Sequence, residues 1–140
     1  MRTINLKNKE NKTIITLSNF IYSETEIRIF DFDINISDDI FTASTRIEAE
    51  KYDFVNLLSG LKRLYDFKIK TISFCPIETQ FSLMFNLLDN GQIKVSGYLS
   101  NKMSTNKLGF EFISDQTFIP DLVNEIEDIL IENCNETNFC

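Results

Sequence analysis

The chain has 140 residues, enough to bury a hydrophobic core unaided, and it carries a net charge of −7 with no histidine. An acidic protein repels phosphate backbones and anionic membranes, and the missing imidazole removes the commonest general base and metal ligand. Only four glycines and two prolines occur, which argues against disorder and fibrous repeats.

The opening residues, Met1 to Lys12, hold no apolar run that could form a signal-peptide core, and no later stretch is long enough to span a bilayer. The expected location is therefore the cytoplasm. Ile4 and Leu6 alternate with polar neighbours, and Ile14, Ile15 and Leu17 follow the turn-like Asn8-Lys9-Glu10-Asn11. Ile27, Ile29, Phe30, Phe32, Ile34 and Ile36 keep a period near two. Ser37-Asp38-Asp39 reads as a compact turn, and Ile40, Phe41, Ala43 and Thr45 continue into another strand. The short connections favour hairpin order.

From Ala49 to Tyr65 the period changes. Phe54, Leu57, Leu58, Leu61, Leu64 and Tyr65 recur at three- and four-residue steps and predict an amphipathic helix. Gly60 inside it costs about 1 kcal/mol relative to Ala, which marks either a close approach to a neighbour or a tolerated imperfection. Strands are predicted at Ile69–Phe74, Gln80–Leu88, Ile93–Leu99 and Leu108–Ile113, with Asp89-Asn90-Gly91 as the hairpin turn between the middle two. A final helix from Thr117 to Asn133 buries Phe118, Leu122, Ile126, Ile129 and Leu130, and its opposite face is acidic. No repeat or linker is evident.

The pattern predicts an α+β fold: a mainly antiparallel β-sheet with two amphipathic helices packed on it. It is expected to be a single domain over residues 1–140, with residues 133–140 a frayed tail.

Few groups suited to catalysis are present. Cys75, Cys134 and Cys140 are odd in number and unrelated in spacing, which excludes a disulfide framework and a zinc knuckle and predicts free, unreactive thiols. Asp31 and Asp33 share a strand face, with Asp38-Asp39 close behind, so a cation site or an acid pair is conceivable there. The regular spacing and glycine turns of oxygen-ligand sites are missing, and a solvated face or partner surface explains the acids better. No phosphate-binding glycine loop exists, since Gly60, Gly91, Gly97 and Gly109 are isolated. The chain is expected to be no enzyme and to need no cofactor or metal.

Charge is uneven along the chain. Residues 24–50 hold eight carboxylates against two arginines, and residues 115–140 hold seven carboxylates and no cation. A basic macromolecule would be drawn to such zones, although solubility alone also accounts for them.

Asp115-Gln116-Thr117-Phe118-Ile119-Pro120-Asp121 reads as the end of a strand and the start of a helix. Asp115 or Thr117 serves as cap, Pro120 sits in the first turn, and Asp121 lies at the positive end of the dipole. A functional role for Gln116 is the alternative. At this stretch Leu108-Gly109-Phe110-Glu111-Phe112-Ile113-Ser114-Asp115-Gln116-Thr117-Phe118-Ile119-Pro120 resembles a phrase of the WapI-type bacterial immunity proteins. Glu78 with Phe81-Ser82-Leu83, and the run Asp89 to Leu99, are similar to that family's hairpin. Asp33-Ile34-Asn35-Ile36 is similar to its front half, although Ile36 stands where the family has Trp.

The resemblance covers about residues 25–132 and implies a cytoplasmic antidote that binds a cognate protein toxin, often a nuclease. A nuclease is basic where it holds phosphate, so acidic residues are the expected contacts: Glu24, Glu26, Asp31, Asp33, Asp38 and Asp39 on the first acidic segment, and Glu125, Asp128 and Glu132 on the last helix. Tyr22 is the expected aromatic anchor. The competing reading is a non-catalytic interaction module or homo-oligomer pairing through a strand edge, so monomer and homodimer both stay open.

Overall fold

The computed structural model describes residues 2–24, 27–77, 80–101, 103 and 105–133. Glu26, Glu78, Cys134, Cys140 and the expected tail beyond Asn133 lie outside the described residues. Strands β1 (Ile4–Lys7), β2 (Thr13–Glu24), β3 (Arg28–Asp38) and β4 (Phe41–Glu50) form an antiparallel sheet in chain order, and helix α1 (Lys51–Tyr65) follows without a break. Strands β5 (Thr71–Ile77), β6 (Phe81–Leu87), β7 (Gln92–Ser100) and β8 (Lys107–Asp115) repeat that order in a second sheet. A 3-10 turn (Gln116–Phe118) and helix α2 (Ile119–Asn133) complete the described chain.

The α+β class is as expected, but the strands divide between two sheets. Pro76 supplies one physical reason. It lines a small cavity with Glu48, Ala49 and Glu50 of β4, and without an N–H it cannot extend a ladder, which suits β5 to an edge. The element order repeats although the sequence of the halves does not.

Local chemistry sets most boundaries. Asn8 Oδ1 accepts from Glu10 N and Lys12 N, each at 3.0 Å, and Asn11 takes the left-handed conformation that closes the β1–β2 turn. Gly91, with φ of 82°, closes the β6–β7 hairpin. Helix α1 starts two residues later than the periodicity suggests, because Ala49 and Glu50 still pair with Phe30 and Ile29. Its first turn is secured by Asp53, whose carboxylate accepts from Glu50 N at 2.9 Å.

The buried side chains form one cluster that draws on both sheets and both helices. Phe54 of α1 is its pivot. Its ring lies 5.3 Å from Phe30 and 5.5 Å from Phe32 in the first sheet, and 5.1 Å from Phe74 in the second. A Cβ on Gly60 would stand 3.0 Å from Ile72 Cγ2, so the helical glycine does mark a close approach, of α1 to β5.

One irregularity positions side chains on the outer face. The β2–β3 register shifts between Ser18 and Ile21, and Asn19 within this bulge has φ of 54°. The extra residue reverses the inward phase of β2. Phe20 then stacks on Phe32 at 5.3 Å, Ile21 turns out to solvent, and Asn19 points at β3.

Candidate partner-binding surface

The outer face of the first sheet carries the acids of β3. Asp31 and Asp33 do share a face, and Arg46 of β4 stands between them. Its Nε lies 3.3 Å from Asp31 Oδ1 and its Nη1 2.9 Å from Asp33 Oδ1, while Nη2 donates to the Asn19 and Asp31 carbonyls. Asn19 Nδ2 donates to Asp33 Oδ2 at 2.7 Å. These hydrogen bonds, Asn19 first and Arg46 second, hold the Asp33 carboxyl below its ordinary value. A guanidinium thus fills the space a cation would need. No group of three or more His, Cys, Asp or Glu side chains converges on a metal position among the described residues.

The second acidic zone is a stripe on α2. Asp121, Glu125, Asp128 and Glu132 recur at helical steps, which puts them on one face. That face is fastened to the N-terminal strand. Glu125 Oε1 accepts from Asn5 N at 2.8 Å, and Arg2 bridges Asp128 at 3.3 Å and Glu132 at 2.8 Å. Strand register then runs Asn5, Thr16, Asn35, Ser44 across the sheet. The α2 stripe, against β1, and the β4 edge are therefore opposite borders of one polar face, with β1 and β4 about 15 Å apart at the usual strand spacing.

Asp38 and Asp39 differ from the other predicted acids among the described residues in having neither an ion pair nor a side-chain hydrogen bond. They occupy the β3–β4 turn, where Asp39 has φ of 51°. Beside them Ile40 is 88% exposed and Phe41 59% exposed. The start of β4 borders a groove of about 350 Å³ whose opposite wall is the end of β7 and the start of β8, including Leu99, Asn101, Lys107 and Leu108. Met103, from the loop between those strands, is also largely exposed.

Tyr22 and Glu24 sit at the far end of the β2–β3 hairpin. Glu24 pairs with Arg28 at 3.1 Å. The Tyr22 ring packs 4.8 Å from Phe30, and its hydroxyl is buried with no hydrogen-bond partner among the described residues. Burial pushes that hydroxyl's pKa up, assisted by Glu24 and opposed by Arg28. Lys51 nearby is buried, and burial, reinforced by Arg28 and opposed by Glu24, lowers its ammonium pKa.

The predicted contacts therefore fall into three places: the sheet face and turn, the hairpin end, and the α2 stripe. Sequence reasoning missed Asn19 and Arg46: the guanidinium pairs with Asp31 and Asp33, and the amide hydrogen-bonds Asp33. The switch of inward phase between Leu17 and Phe20 was the available signal for Asn19. Cys75 is exposed on β5, not enclosed by its apolar neighbours. Asp115 Oδ1 accepts from Thr117 N at 3.0 Å and caps the 3-10 turn, while Gln116 N donates to Gly91 O at 3.3 Å and so braces the hairpin. No helix among the described residues is long and apolar enough to cross a membrane.

The model of a family described as the immunity protein WapI-like family matches residues 5–132. No curated protein and no solved structure matched the chain.

Proposed function

The chain belongs to the WapI-like immunity protein family, and from that premise we propose that it binds and neutralises a cognate bacterial toxin, a nuclease, in the cytoplasm. It acts as a single domain, by occupancy and not by turnover. The observation that carries this reading is the extent of the match, which takes in both sheets and both helices.

Geometry supports a division of labour among the acids. Asp31, Asp33, Glu125, Asp128 and Glu132 each have an internal partner, so they shape the long-range field more than they offer free contacts. Asp38 and Asp39 are free to meet a basic residue of the toxin. Long-range attraction speeds encounter, and buried apolar contacts supply affinity.

The test is calorimetry and stopped-flow mixing with the toxin domain encoded beside this chain's gene. Complex formation at micromolar concentration, with an association rate that falls as salt rises, is the expected result. Absence of a complex at low ionic strength overturns the reading.

A further inference from the structure

We infer that the open edge of β4, from Phe41 to Thr45, takes an extended basic segment of the toxin as an added β-strand, with Ile40 and Phe41 as its apolar anchors. The inference rests on the toxin-binding reading and names the surface that reading uses.

The register identifies the free groups. Asp38 and Phe41 close the two-residue β3–β4 turn as a hydrogen-bonded pair, so hydrogen bonding alternates at every second position along the ladder. Thr42 and Ser44 then direct both N–H and C=O away from β3. Asn5 confirms the phase at the opposite edge. Register carries it to Ser44 through Thr16 and Asn35, and its own N–H points outward to Glu125 Oε1 at 2.8 Å.

Parts of the other edges are tied to the rest of the chain. Glu125 covers β1 at Asn5, while Lys9 N donates to Ile113 O at 2.8 Å and Ser114 Oγ donates to Lys7 O, joining β8 to the β1 end. Helix α1 lies against β5, with Gly60 close on Ile72. Proteins ordinarily blunt a free strand edge with charge, proline or a bulge. Between Phe41 and Thr45 there is no charged residue, no proline and no register shift.

Shape and charge select the occupant. The edge borders a groove walled by β7 and β8, which admits a single extended segment better than the border of another whole sheet. Five residues of β4 span about 13 Å, a length matched by four or five residues of partner strand. Asp38 and Asp39 stand at one end, while the opposing cation, Lys107, is engaged over the Tyr98 ring at 3.9 Å. A segment alternating apolar and basic side chains meets both the Phe41 wall and the aspartates.

The test has two arms. In the first, ¹⁵N-labelled protein is titrated by NMR with the peptide acetyl-Lys-Val-Lys-Val-Lys-amide and with its Glu-for-Lys counterpart. Shifts centred on the Thr42 and Ser44 amides, with slowed exchange at both and at least fivefold weaker effects from the acidic peptide, are expected. Shifts centred on α2, or none at millimolar peptide, overturn the inference. So does a concentration-dependent dimer by light scattering that buries these two amides, since the edge would then belong to a second copy.

In the second arm the neighbouring toxin domain is mixed with wild type and with Ser44→Pro, which removes an outward N–H and no hydrogen bond of the β3–β4 ladder. The variant is expected to bind at least tenfold more weakly at an unchanged melting temperature. Phe41→Ser, an exposed change, replaces it if the proline variant does not fold. Equal binding by wild type and variant refutes the surface but leaves the toxin reading standing. Failure of wild type to bind refutes the toxin reading, and the peptide arm still decides the surface.

Discussion

Asn19 donates to the Asp33 carboxylate at 2.7 Å from a backbone held at φ of 54°, so a bulge in one strand supplies a hydrogen bond to the ionised side chain of the next. Asp33 has a folded pKa below its ordinary value, because Asn19 and then Arg46 hydrogen-bond the ionised form. Its stabilisation is complete above the unfolded carboxyl pKa of about 3.9 and is lost as pH falls through the folded value. The side chain is 41% exposed, so solvent screening limits the effect. Asp33→Asn should cost no more than about 1 kcal/mol at pH 7, and the difference from wild type should shrink as pH falls below the unfolded carboxyl pKa, by urea denaturation. A difference that persists unchanged at pH 2 would remove the carboxylate from the explanation.

Glu125 gives the β1 edge a charged acceptor. Glu125→Ala should destabilise the chain by about 1 kcal/mol and accelerate exchange of the Asn5 amide more than that of Leu6, which faces β2. Equal acceleration of both amides would mean that the whole strand had loosened and that the carboxylate is no specific edge cover.

Tyr22 presents the reverse case, a buried hydroxyl without a partner among the described residues. Tyr22→Phe keeps the ring against Phe30 and removes an unsatisfied group. Chemical denaturation should find the variant equal to wild type or up to about 1 kcal/mol more stable. A loss above that amount would show that the hydroxyl has a partner in solution.

Two glycines should respond very differently to alanine. A Cβ on Gly97 would lie 1.8 Å from Ser82 O, a backbone atom of the neighbouring strand, whereas one on Gly60 meets Ile72 Cγ2 at 3.0 Å. Gly97→Ala should cost about 3 kcal/mol. Gly60→Ala gains about 1 kcal/mol of helix propensity against a small shift of Ile72, so its net effect should stay within about 1 kcal/mol of zero. Thermal melts of the two variants provide the comparison.

Much of the architecture was legible in the sequence, for local reasons. The alternation of Phe81, Leu83 and Phe85, the helical steps from Phe54 to Leu64, and the glycine closing the Asp89-Asn90-Gly91 turn are encoded within a few residues and survive as β6, α1 and the β6–β7 hairpin. The Asp115 cap is equally local. Division into two sheets was not legible, because it depends on which strand edges meet, and Pro76 shows its effect only once it lies beside β4.

By itself, the sequence determined the α+β class, the element order and most of the residues that face inward, since each follows from backbone geometry repeated at short range; Tyr65, expected on the inward face of α1, is exposed, and Phe118, expected in the last helix, lies in the 3-10 turn and is only half-buried. Tertiary structure alone decided which acids are free. Arg2 meets Glu132 across a separation of 130 positions, Arg46 takes Asp31 and Asp33, and Asp38 and Asp39 are left beside an uncovered strand edge. Electrostatic pairing depends on distance in space, which linear spacing does not carry once strands and helices have packed.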